Sequence, residues 1–307
     1  MTDKDVLRLT TDDLWRLLRE IDPVELVSTQ LNGRTGKESP GRFRENGGRR
    51  SDGLVLLDDA DTGVSCLLPA SCLALIRIAA LATLAAAELL APGQVTVGLL
   101  ASGEAARLHL ATLTRHLPDI GDVALCPDRD RYLGVQDLLD QAGIGLSVTT
   151  SADEAAFGAN LLITTGRGHD RLCLGHLARG ALLVNSAGHD LPDDLVDGVD
   201  AIVVDDTELL ADNRHRHFAR VHLETEAVAA TEPLRLLEGW HRPGLEWRSR
   251  RHVVGLDRIV AGTHPGRTHI DDVVLVELLG TRVLDIALAC LLERTALECG
   301  VGAWAAD

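Results

Sequence analysis

Apolar and polar positions divide the chain into two regimes that meet near residue 94. Before it, Leu14, Leu17, Leu18, Ile21 and Val27 recur at helical spacing and predict a helix over residues 10–30, with Thr10, Thr11 or Asp12 able to cap it. Residues 31–53 show no period. The runs GLVLLDD and VSCLLP flank Ala60-Asp61-Thr62-Gly63 and predict a hairpin. A continuous apolar stretch, residues 72–91, then predicts a long helix ended by Pro92-Gly93.

After residue 94 short β-rich runs alternate with helical lengths. VTVGLL precedes a helix at 103–116, DVALC one at 130–141, and GLSVTT a short acidic helix in SADEAAFG. NLLITT, ALLVNSA and AIVVDD follow, leading respectively into LCLGHLARG, HDLPDDLVDG and TELLADNRHR. This alternation predicts a mostly parallel sheet with helices on both faces, an α/β arrangement. Residues 231–258, with Trp240 and Trp247, read as irregular, and GTRVLDIALACLLERTALECGVG as an apolar C-terminal helix.

Composition narrows the chemistry. The 307 residues are 46% hydrophobic but include only three Phe, one Tyr and four Trp, so aliphatic side chains must fill the core. A formal charge of −16 argues against a nucleic-acid backbone as partner, while a nucleotide cofactor needs only a local positive field. Lys4 and Lys37 are the only lysines. The segment 31–53 gathers Arg34, Lys37, Arg42, Arg44, Arg49 and Arg50, either as a solvated loop or as a basic rim for an anionic ligand. The six cysteines show no CxxC or regular framework, and MTDKDVLRLT lacks the apolar run of a signal peptide; both point to a cytoplasmic protein with reduced thiols. Residues 72–91 contain Arg77 and Glu88, which favours a buried helix over a membrane span. No HExxH, no Cys/His spacing for a metal, no G-x-S-x-G and no P-loop occurs.

Five places carry candidate chemistry. In VGLLASGEAARLHL an apolar strand stops at Ala101-Ser102-Gly103 and an Ala-rich helix follows at once. This is the strand, tight turn and helix of a dinucleotide-binding unit, with A-x-G-x-x-A in place of G-x-G-x-x-G/A. An ordinary β–turn–α junction would read the same way. Arg77, on a helix this apolar, either snorkels out to solvent or needs an anionic partner, a structural aspartate or a substrate carboxylate gripped by its two-pronged guanidinium. Asp190 follows ALLVNSA, where parallel strands place ligand contacts; it is a candidate for proton exchange with an amine, or a cap or Asx-turn ahead of Pro192. His189 stands beside it. Thr164 and Thr165 end NLLITT, where their hydroxyls could reach a ribose or nicotinamide. Asp128, in LCPDRD, falls where an acid would bind the adenosine ribose and favour NAD, and Arg129 beside it leaves NADP open.

Taken in order, these pieces resemble the ornithine cyclodeaminase/μ-crystallin family. LLDDADTG with Arg77-Ile78-Ala79-Ala80 matches its strand pair and long helix, and Ala101 to Leu110 its G-x-G-x-x-A-R-x-H-L. LLVNSAGHD places the family's catalytic aspartate at Asp190, and IVAGTHPGRTHIDDVVLVELLG followed by VLDIALA matches its closing signature. The resemblance implies a Rossmann-type NAD-binding domain, residues 93–279. A second, α+β substrate and dimerisation domain would be built from residues 1–92 with 280–307. It further implies a homodimer, a small amino-acid-type substrate whose carboxylate is held by Arg77 with Arg34 or Lys37 assisting, and proton transfer by Asp190. Cofactor contacts fall on Ala101, Ser102, Gly103, Glu104, Ala105, Asp128, Thr165, Asn185, Ser186 and Ala187.

GHDLP and RRSDGLVLLDD look closest to the branch that makes 2,3-diaminopropionate for siderophores. That resemblance implies NAD-dependent oxidation of a small amino acid or amino-acid-derived secondary amine in specialised biosynthesis. Cyclodeamination and imine reduction are the alternatives within the family. A third alternative is a catalytically silent binding protein, which three departures from the pattern favour: Arg34 at the family's lysine position, Ile78 for a threonine, and Ala101 for the first glycine.

Overall fold

The computed structural model describes residues 6–34, 53–59, 61–127, 134–166, 171–231, 253–280 and 282–305. Lys37, Asp128, Arg129, the basic residues 42–50 and both Trp240 and Trp247 lie outside them, as does the side chain of Arg34. In chain order the elements are β1 (Val6–Arg8), α1 (Thr11–Leu17), α2 (Pro23–Arg34), β2 (Leu54–Asp58), β3 (Ser65–Pro69) and α3 (Ala70–Leu89). Then come β4 (Val95–Leu100), α4 (Gly103–His116), β5 (Ile120–Leu125), α5 (Val135–Ala142), β6 (Gly145–Val148), α6 (Ala152–Ala156), β7 (Leu161–Thr164) and β8 (Leu182–Asn185). The chain continues with α7 (Asp193–Gly198), β9 (Ala201–Val204), α8 (His217–Thr231), β10 (Val253–Gly255), α9 (Leu256–Val260), β11 (Val274–Glu277), α10 (Arg282–Cys299) and β12 (Ala303–Ala305). Two compact units result, residues 1–81 with 281–307 and residues 82–280.

In the terminal unit, a four-stranded sheet has the order β12-β1-β3-β2. The hairpin β2–β3 forms as the sequence predicts, with Leu54 opposite Pro69 and Asp58 opposite Ser65. Strands β1 and β12 were not expected; each has three residues, too short to show a period. The single helix predicted over residues 10–30 is instead two. Thr10 caps α1 through a reciprocal box with Asp13. A second start follows at Asp22-Pro23, where the Asp22 carboxylate accepts the N–H groups of Val24 and Glu25 at 3.0 and 3.3 Å. Proline cannot donate inside a helix but suits its first position, so Pro23 breaks the predicted run and begins the next. On α10, Arg294 reaches Asp59 and Asp61 in the hairpin turn at 3.1 and 2.8 Å.

The helix α3, expected at 72–91, spans residues 70–89. Among the described residues it is the one helix long and apolar enough to cross a membrane, and 67% of its most apolar stretch is buried inside the structure. That burial matches a core helix.

In the central unit, eight strands run in the order β10-β9-β11-β8-β7-β4-β5-β6, and every pairing is parallel. Strands β7, β8 and β11 are buried along their whole length, as expected when helices cover both faces. Leu100, Leu162, Leu183, Leu275 and Phe218 belong to one continuous core cluster. Gly98 allows a close approach of strand and helix: a Cβ there would lie 2.4 Å from the carbonyl oxygen of Ala155 on α6. Two expectations need correction. Residues 217–231, left unassigned by pattern, form α8, and the supposedly irregular 231–258 contains β10 and the start of α9, whose few residues carry too little periodicity to detect.

His109 of α4 is completely buried, and neither ring nitrogen has a hydrogen-bond partner among the described residues. Burial pushes its pKa from 6.5 down to about 4, so the folded protein holds the ring neutral where the unfolded chain would protonate it. Stability is therefore intact above pH 6.5 and falls as pH drops toward 4. In urea melts at pH 8 and pH 4.5, wild type should lose roughly 2–3 kcal/mol more than His109→Leu over that interval. Parallel losses would show that the ring is not buried neutral.

Candidate active site

The strand order of the central unit reverses at β4. From β4 the chain moves to β5 and β6 on one side, then crosses back to β7 on the other. In parallel sheets this reversal opens a crevice at the C-terminal strand ends. Residues Ala101 to Ala105 stand there, between the end of β4 and the first turn of α4. Ser102 has an extended backbone and makes no side-chain cap to the helix, while Gly103 takes φ +54 with open space where a Cβ would project. A helix start of this kind presents main-chain N–H groups and the positive end of the helix dipole. Glu104 adds a negative charge to that first turn.

Across the crevice the strand ends are laced together by side chains. Thr165 donates its hydroxyl and its N–H to the Leu100 carbonyl at 3.2 and 3.0 Å. Ser186 does the same to Thr164, at 2.8 and 2.9 Å. The pairing register sets Thr164, Asn185 and Glu277 side by side at the last positions of β7, β8 and β11. Their side chains form a row: the Thr164 hydroxyl donates to Asn185 Oδ1 at 2.9 Å, and Asn185 Nδ2 donates to the Glu277 carboxylate at 3.0 Å. Asn185 Oδ1 also accepts the Ala187 N–H at 3.2 Å, and Nδ2 donates to the His189 carbonyl at 2.9 Å. The amide is completely buried and these bonds leave it no polar valence for a ligand. The Asn185 side chain shapes the turn that carries Ser186 and Ala187.

The row continues through two residues that pattern reading did not single out. Glu277 is 1% exposed and meets Arg216 Nη2 at 2.6 Å; the Arg216 side chain is 2% exposed. Nη2 also donates to the His189 carbonyl at 3.0 Å, and the guanidinium lies over the Phe218 ring, 5.0 Å from its centroid. Desolvation drives the Glu277 pKa up to about 7, against the opposing pull of Arg216 and the Asn185 hydrogen bond. On the outer side, Arg216 Nε stands 3.6 Å from Asp190, whose side chain is 44% exposed. Asp190 accepts the His217 N–H at 3.2 Å. The His217 ring faces Asp197 at 3.0 Å and Asp193 at 3.5 Å. An acid ending the apolar strand VLVE was a readable sign of a buried charge; Arg216, within RHRH, looked like ordinary surface.

The central unit thus brings together Ala101 to Ala105, Thr165, Asn185, Ser186, Ala187 and Asp190. Arg77 and Arg34 belong to the terminal unit. There Arg77 is 7% exposed. The Asp285 carboxylate of α10 comes within 2.9 Å of its Nε, off the N–H line, and Nη1 has no hydrogen-bond partner among the described residues. Both partnered readings are therefore compatible with one geometry, in which a structural aspartate balances the charge while the buried Nη1 keeps its donors.

A parallel sheet that reverses beside a glycine-started helix defines the Rossmann class of dinucleotide-binding folds. The chain belongs to the ornithine cyclodeaminase/mu-crystallin family, whose signature matches residues 37–299. It is 26% identical over 265 residues to the Delta(1)-pyrroline-2-carboxylate reductase of Bacillus thuringiensis subsp. konkukian, covering 83% of this chain and 74% of that protein. Two solved structures share the fold. CmnK does so with a TM-score of 0.72, at 19% identity over 98% of each chain. Thermococcus litoralis Delta(1)-pyrroline-2-carboxylate reductase, in complex with NADH and L-proline, has a TM-score of 0.67 at 21% identity over 97% of this chain and 99% of that one.

If Asn185 is the hub of the row, Asn185→Leu should strip Glu277 and the His189 carbonyl of a donor and cost about 2–4 kcal/mol. Chemical denaturation checks this, and a loss below about 1 kcal/mol would show that the row is held otherwise.

Proposed function

We propose that the protein is an NAD(H)-dependent reductase of a small cyclic or linear imino acid. The observation that carries this reading is Asp190, a partly exposed carboxylate held at the C-terminal strand ends within the same unit as the open first turn of α4. The crevice residues fit a dinucleotide. Gly103 leaves room for close approach, the α4 start suits a pyrophosphate, and the hydroxyls of Thr165 and Ser186 keep accepting lone pairs. NAD is the favoured form, with NADP the alternative. The reductases among the relatives support the direction of reaction.

Bound NADH supplies a hydride to the imine carbon. Asp190 holds the nitrogen side: reduction breaks the C=N π bond and places a proton on nitrogen, and a carboxylate there stabilises the protonated imine that accepts hydride fastest. Arg77 is the residue of the terminal unit suited to a carboxylate, through the donor that Asp285 leaves uncommitted. The protein acts as a homodimer in this reading.

A second reading is oxidation of an amino-acid-derived secondary amine, as in the diaminopropionate-forming branch. It is favoured by the stretch Gly188-His189-Asp190-Leu191-Pro192 and by RRSDGLVLLDD. The same residues would serve, with Asp190 accepting the proton.

The test is nicotinamide fluorescence with NADH and NADPH, then NADH consumption with Δ1-pyrroline-2-carboxylate and with imino acids formed from 2-oxo acids and ammonia. Saturable binding and turnover are expected. Arg77→Met should raise KM about 10- to 100-fold, as loss of a charge-assisted bond predicts, and Asp190→Asn should lower kcat. Binding without reduction, but with NAD+-dependent oxidation of a secondary amine, would favour the second reading. No binding of either nucleotide would overturn both.

A further inference from the structure

Arg216 and Glu277 are unusual in their placement. Both are essentially inaccessible to water, yet they stand one residue away from an exposed carboxylate. A buried carboxylate and guanidinium cost several kcal/mol each to desolvate, and a single pair repays that only with further hydrogen bonds. Here the further bonds come from Asn185 and the His189 carbonyl. Arg216 Nε, which makes none of these inward bonds, is buried, has no hydrogen-bond partner among the described residues, and lies 3.6 Å from Asp190. One cation therefore faces two carboxylates, one fully buried and one open to the crevice.

We infer that Glu277 and Arg216 are positioning residues for Asp190: the pair fixes its carboxylate at the outer end of the row, and the charge on Glu277 decides how much of the Arg216 field reaches it. The inference rests on the reductase reading above. With Glu277 protonated, Arg216 and an ionised Asp190 sum to zero. With Glu277 ionised, the three sum to −1, which favours a cationic imine beside Asp190. Burial pushes Glu277 up to about 7, so the change falls in the neutral range. The groups around the row do not substitute for it. His217 faces Asp190 through its main-chain N–H while its ring is engaged with Asp193, Asp197 and Arg220. Asp205, at the end of β9, accepts the N–H groups of Leu279 and Gly280 at 2.7 and 3.1 Å.

The experiment is the pH profile of kcat/KM for imine reduction in wild type and Glu277→Gln, which preserves shape and acceptor oxygen. The substrate's own titration affects both enzymes and cancels in their ratio. That ratio should rise roughly tenfold between pH 6 and 8, the size expected for one charge at short range in a partly screened site. Carboxyl 13C titration of Glu277 in wild type gives an independent midpoint, which must coincide with the limb of the wild-type profile. The midpoint stands even if the variant does not fold. Turnover with parallel profiles, or a midpoint separate from the limb, would overturn this inference and leave the reductase reading standing. Absence of turnover in wild type would overturn the reductase reading itself.

Discussion

The central unit depends on the contact between Arg216 and Glu277, two ionisable groups taken out of water and held there by each other, by Asn185 and by the His189 carbonyl. Their contact at 2.6 Å joins the end of β11 to the entry of α8. Asn185 ties the same carboxylate to β8, and Thr164 extends the tie to β7. Three parallel strands thereby end at one level and share one polar row. The main-chain turn from Ser186 to Asp190 is shaped by what the row leaves for it: an amide that accepts Ala187 N–H and a guanidinium that donates to the His189 carbonyl.

A related device recurs along the C-terminal edge. Where a parallel strand stops, its last carbonyl would lose its ladder partner, and here the first residue after the neighbouring strand supplies both a hydroxyl and an N–H. Thr165 does this for Leu100 and Ser186 for Thr164. Asp205 supplies the reverse, a carboxylate for two N–H groups just beyond β11. Each loop starts from a saturated backbone, which lets the loops carry polar side chains without weakening the sheet beneath them. Under the proposed function, the crevice would need this rigidity to hold a dinucleotide in a defined pose.

The terminal unit solves a different problem with fewer polar groups. Its short sheet is pinned by Arg294 on Asp59 and Asp61, and its first helices are separated by the Asp22-Pro23 start. Arg77 is a buried charge in a largely apolar helix. Asp285 supplies a countercharge without occupying the whole guanidinium, and this incomplete pairing is what makes Arg77 suited to an anion instead of merely tolerated.

Local information was enough for the alternating strands and helices after residue 94, for the β2–β3 hairpin, and for the strand–turn–helix at Ala101 to Ala105. Period, turn chemistry and small residues act over a few positions and survive in the one-dimensional order. Asp190 could likewise be placed after a strand that had to be parallel. Short elements such as β1, β10 and β12 could not be read, since three residues carry no period and their pairing partners are distant in sequence. The row of Thr164, Asn185, Glu277 and Arg216 was hidden for the same reason. Its members come from four separate stretches, and each alone looks like a strand terminator, a turn residue, an acid or a surface base. Sequence by itself determined which of the longer patterned segments become strands and which helices. Only the tertiary structure decided which strand ends lie side by side, because register and burial arise from long-range pairing that no local pattern encodes.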